Sequence, residues 1–139
     1  MSPAVPASDA ASNPDLRPVH ERLRAILAPY RERLNVSADG PNGMILELPG
    51  YAGNPWAYVA GTRLGKRYVS YYLMGVYGDP ALVDGMSPEL RRRMQGKSCF
   101  NFTKVDKALF AELALLTEQS IARQPALLEA ALAARSRKR

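Results

Sequence analysis

The chain has 139 residues, 47% of them hydrophobic, and carries 19 Lys and Arg against 13 Asp and Glu for a formal charge of +6. This length gives one domain whose core needs no covalent staple, and the single cysteine, Cys99, excludes an internal disulfide. No run reaches the roughly 18 consecutive apolar residues of a membrane span, so no membrane partner is expected.

The charge is concentrated at one end, where Arg135, Arg137, Lys138 and Arg139 supply four of the six net charges. A basic run of this kind reads first as a solvated tail and only second as a contact for nucleic acid. Residues 1–9 carry neither the basic stretch nor the apolar stretch of a signal peptide, so a cytoplasmic protein is expected.

Residues 1–14 are rich in Ala, Ser and Pro without apolar periodicity, a composition that predicts disorder. The spacing of Val19, Leu23, Ile26, Leu27, Tyr30 and Leu34 predicts a helix capped near Asp15, which Pro29 should kink or divide. His20, Glu21, Arg22 and Arg24 fall on its polar side. Asp39-Gly40-Pro41-Asn42-Gly43 is turn chemistry. Met44 to Leu48, Trp56 to Leu64 and Lys66 to Met74 then read as strands, the last two joined through Gly65 as a hairpin.

Asp79-Pro80 and Ser87-Pro88-Glu89 each open a short helix, with Leu90 and Met94 inward on the second and Gly96 as its stop. Ser98 to Thr103 is a further strand with Phe100 and Phe102 on one side. Asp106 caps a longer helix, where Val105 and Phe110 are spaced as a hydrophobic staple and Leu109, Leu113, Leu116, Thr117, Ser120 and Ile121 make the buried face. Pro125 should interrupt it, making Ala126 to Arg135 a separate piece. Strand-rich and helix-rich stretches are segregated, which predicts an α+β fold with an antiparallel sheet and helices mainly on one face. The expected division is a disordered segment 1–14, a domain 15–124, and a helical extension with a basic tail, 125–139.

The strand Tyr68-Val69-Ser70-Tyr71-Tyr72-Leu73-Met74, the phrase Gly96-Lys97-Ser98-Cys99-Phe100-Asn101-Phe102 and the helix from Asp106 to Gln119 form a recognisable series. It resembles the YdhG-like domain family, small bacterial α+β proteins of mostly uncharacterised function, over about residues 15–123. One branch of that family resembles frataxin and is described as an intracellular iron chaperone, so the resemblance implies iron as a candidate cofactor. Iron handling of that kind needs clustered carboxylates. The first helix offers Glu21 and Glu32 among Arg17, Arg22, Arg24, Arg31 and Arg33, which disfavours iron, and no metal ligand is carried across.

The residues themselves assemble no catalytic set. His20 is the only histidine, and its place on the helix predicts an exposed side chain. Cys99 reads as a packing residue before a nucleophile, although Lys97 two positions away would favour a thiolate. Tyr68, Ser70, Tyr72 and Met74 share one face of their strand, and Arg67, Val69, Tyr71 and Leu73 share the other. Neither face is polar, so this strand should be central and covered on both sides. The expectation is a non-enzymatic binding module for a small molecule or a protein, with Trp56, Tyr58, Tyr68, Tyr72, Lys97 and Cys99 at its surface. Nucleic acid is the weaker partner, through Arg91, Arg92, Arg93 and the basic tail. The sequence leaves the oligomeric state open.

Overall fold

Helix α1, Arg17–Leu27, has Leu16 rather than Asp15 at its N-cap, and the Asp15 carboxylate just ahead of it accepts a hydrogen bond from the Arg17 backbone N–H at 3.1 Å. The computed structural model describes residues 15–51 and 54–137; the segment expected to be disordered, 1–14, and the tail residues Lys138 and Arg139 lie outside them. Val19, Leu23 and Leu27 are buried along α1, as their spacing predicts. At Pro29 the α-helix gives way to a 3-10 turn, Ala28–Glu32, because proline has no N–H to continue the ladder. His20 corrects the expectation of exposure. Its side chain is buried and its Nε2 lies 2.8 Å from Thr62 Oγ1, so the ring belongs to the core side of α1.

Six strands follow: β1 Asn35–Gly40, β2 Gly43–Glu47, β3 Tyr58–Leu64, β4 Val69–Leu73, β5 Met94–Gln95 and β6 Cys99–Phe102. They form one antiparallel sheet in the order β1-β2-β3-β4-β6-β5, which makes β4 an interior strand. Pro41-Asn42 closes the first hairpin, with Gly40 opposite Gly43. β1 has no counterpart in the sequence reading, because it is a largely exposed edge built of Asn, Ser, Asp and Gly, residues of low strand propensity. The predicted strand from Trp56 begins instead at Tyr58, after a 3-10 turn over Pro55–Ala57. The predicted strand from Lys66 begins at Val69, because Gly65 to Tyr68 form the hairpin connection, with the Gly65 N–H 3.0 Å from the Tyr68 carbonyl.

The remaining helices are α2 Met74–Gly78, α3 Ala81–Asp84, α4 Pro88–Arg91 and α5 Lys107–Arg137. Ser87 caps α4 through the Leu90 N–H at 3.1 Å, and Asp106 caps α5 through the Leu109 N–H at 3.1 Å, both as predicted. Three expectations are corrected. Met74 and Gly75 are helical, because Gly75 lets α2 press against α5: an added Cβ there would stand 2.6 Å from the Ser120 carbonyl oxygen. Met94 packs against the core but from β5, and Gly96, at φ +78°, turns β5 into β6 rather than ending a helix. Pro125 does not interrupt α5. Packing on both sides of it holds the helix together: Gln124 and Leu128 are buried, and Leu127 lies against Gly78.

Pairing register sorts the sheet into two faces. Met44, Thr62, Tyr71 and Phe100 lie in one cross-strand row, tied to α1 through His20 and Thr62 and to α5 through Tyr71 and Thr117. Leu23, Leu27, Leu113 and Leu116 complete the core above it. The helices therefore pack on this face, and the chain has the α+β fold its sequence predicts. The neighbouring residues Ile45, Gly61, Tyr72 and Cys99 form the corresponding row on the opposite, open face. β4 is interior as expected, but helices cover only one of its sides.

Candidate functional site

A shift in register between β2 and β3 pairs Leu46 with Ala60 and Glu47 with Tyr58, leaving Val59 as an extra residue. Val59 and Ala60 are both buried, and Tyr58 turns onto the open face. Its ring lies across Gly61, where an added Cβ would run into Tyr58 Oη. Tyr72, opposite Gly61 on β4, meets the Tyr58 ring edge to face, with centroids 6.4 Å apart. Glycine at 61 thus makes room for the Tyr58 ring on the sheet surface, and Tyr58 and Tyr72 together wall the space beside it. The result is a groove of 540 Å³ running from Tyr58 and Tyr72 past Ile45 and Arg63 to the β1–β2 turn at Asn42, within the size range of small-molecule sites.

Beyond Tyr72 the open face becomes polar. Ser70 Oγ donates to Asn101 Oδ1 at 2.8 Å, Asn101 Nδ2 donates to Gln95 Oε1 at 2.6 Å, and Cys99 Sγ lies 3.4 Å from the same Asn101 oxygen. Burial pushes the Tyr58 phenol up from its ordinary value, and the neighbouring Tyr72 and Cys99 add to the rise. Burial also raises the Cys99 thiol, against the pull of the Ser70 and Tyr72 hydroxyls. Both groups are therefore held in their protonated forms, and Cys99 has no cation stabilising a thiolate.

The sequence-derived candidates separate into three places. Tyr58 and Tyr72 form the groove, with Cys99 next to Tyr72. Tyr68 lies at the far end of β4 beside Arg63, Lys66 and Arg67. Trp56 and Lys97 lie at the other end, where Trp56 stacks on Tyr77 at 5.8 Å and the Lys97 ammonium sits 5.9 Å from the Tyr77 ring centroid. Lys97 is in the β5–β6 turn, so strand parity with Cys99 does not apply to it. Gln124 of α5 fixes this end by donating to the Trp56 and Tyr58 carbonyls at 2.6 and 3.1 Å. Arg91 and Arg92 are exposed after Leu90, whereas Arg93 is half-buried and its carbonyl accepts the Asn101 N–H at 2.8 Å.

Sequence reasoning missed Gly61, Ile45 and Arg63 as parts of the groove. Gly61 carried a usable signal, since a lone glycine inside a strand marks a close approach of other atoms. The others depend on pairing register. Asp39 on the helix side is engaged by Arg24 at 2.6 Å and Arg31 at 3.0 Å, and the Arg24 hydrogen bond holds its carboxyl below the usual range. Among the described residues no group of three His, Cys, Asp or Glu is placed to hold a metal ion, and no helix is long and apolar enough to cross a membrane. Set against family models, curated proteins and solved structures, the chain matches none of them.

Proposed function

We propose that this chain is a cytoplasmic, YdhG-like binding domain that takes a small molecule in the groove on the open face of its sheet. The observation that carries this reading is the groove of 540 Å³ beside Tyr58 and Tyr72, with Ile45 in its apolar lining. A sheet face covered only by its own side chains has no packing need for such a hollow, and aromatic walls beside a polar margin fix a ligand by area and by orientation. Binding is favoured over turnover because Tyr58 and Cys99 stay protonated and His20 lies on the opposite face. Iron delivery lacks support of this kind, since Asp39 is already neutralised by two arginines and α1 is rich in cations.

The test is native mass spectrometry of the protein purified from its own host, beside an Ile45→Trp variant that fills the groove. A bound small molecule on the wild-type protein, absent from Ile45→Trp, is the expected result. The same bound mass on both proteins, or none on either, overturns the reading.

A further inference from the structure

The groove does not end at the tyrosines. Arg63 borders it and also borders a second hollow of 220 Å³ at the β3–β4 connection, where Lys66, Arg67 and Tyr68 stand. That connection is tight, because an added Cβ at Gly65 would come within 2.7 Å of the Tyr68 carbonyl oxygen. No acidic side chain lines the second hollow. Among the described residues Arg63, Lys66 and Arg67 form no ion pair, whereas Arg24 and Arg31 both engage Asp39, the one carboxylate among the groove's lining residues; Glu47 stands opposite Tyr58 outside that lining.

Three cations without a carboxylate, adjoining an aromatic groove, are the counterpart of an anionic group attached to an apolar body. We infer that the ligand class is an organic anion with a planar apolar body. The body lies against Ile45, Tyr58 and Tyr72, and its anionic group meets Arg63, with Lys66 and Arg67 strengthening the local field. This inference rests on the groove being a small-molecule site and adds the charge and shape of what enters it.

Fluorescence titration with two probes of the same aromatic body tests it: anilinonaphthalene sulfonate, which is anionic, and N-phenylnaphthylamine, which is neutral. The sulfonate should bind about tenfold tighter, as a charge-assisted hydrogen bond supplies. Arg63→Gln should remove about that factor for the sulfonate and leave the neutral probe unchanged, and Ile45→Trp should weaken both. Equal affinities with no effect of Arg63→Gln overturn the anion inference, while loss of both probes in Ile45→Trp then still upholds the groove. Binding of neither probe, or undiminished binding of both to Ile45→Trp, overturns the groove reading as well. Should Ile45→Trp fail to fold, Tyr72→Ala takes its place with the same expectations.

Discussion

On the helix-covered face, Met44, Thr62, Tyr71 and Phe100 follow one another across four strands, and every one is buried. One residue along, the open-face row runs Ile45, Gly61, Tyr72 and Cys99 across the same strands, and only the glycine, which has no side chain, is fully buried. The backbone is common to both rows, so the difference lies in the side chains and in the helices, which cover only the first face. Large residues meeting α1 and α5 fill the first face. On the second, the Tyr58 ring covers Gly61, and a groove stays open beside Tyr58, Tyr72 and Ile45. A filled face and an open one are thus written into alternating positions of the same strands.

The largest expected difference between the faces is in the cost of truncation. Phe100→Ala removes a fully buried ring and should destabilise the fold by about 3–5 kcal/mol in urea denaturation. Tyr72→Ala removes a half-buried ring and should cost less than about 2 kcal/mol, because part of that surface is already hydrated. Equal costs would show that the open face is core, and the contrast would disappear.

That contrast was legible in part. Apolar spacing located α1 and the buried face of α5, and the capping residues Ser87 and Asp106 placed helix starts correctly, because these signals are local. The edge strand β1 was invisible, since polar residues at an exposed edge carry no hydrophobic alternation. The continuity of α5 through Pro125 depends on distant packing by Leu127 and Leu128, which no local rule contains. At the candidate site, Tyr58 and Tyr72 were identified by residue type. Their union over Gly61 follows from the extra residue Val59, a property of two strands in register. Tyr68, Trp56 and Lys97 were grouped with them because strand parity was extended past the true strand ends.

Neighbouring tyrosines sharpen the comparison at smaller amplitude. Thr117 Oγ1 donates to the Leu113 carbonyl at 2.8 Å, so the fully buried Tyr71 hydroxyl must be the donor to Thr117. Tyr71→Phe removes that bond and should cost about 1–2 kcal/mol. Tyr72→Phe, on the open face, should stay within about 0.5 kcal/mol of wild type. A double-mutant cycle of Tyr71→Phe with Thr117→Val assigns the Tyr71 cost to this contact through its coupling energy, and additive effects would place the cost elsewhere.

The smallest effect concerns pH, and it too belongs to one face. Burial lowers the His20 pKa from its ordinary value, Arg24 lowers it further, and Glu21 and Asp39 only partly oppose them. The unfolded chain therefore binds this proton more readily than the folded one, and stability must rise with pH through the interval between the two pKa values. The contribution is fully present above about pH 6.5, the value of an unperturbed histidine, and is lost as pH falls from there toward the lower folded value. His20→Gln retains a polar group able to reach Thr62 but does not titrate. The variant should show a smaller fall in melting temperature than wild type between pH 7.5 and pH 5.5. A parallel fall in both proteins would mean that the acid sensitivity comes from elsewhere and that the His20–Thr62 contact tolerates a charged imidazole.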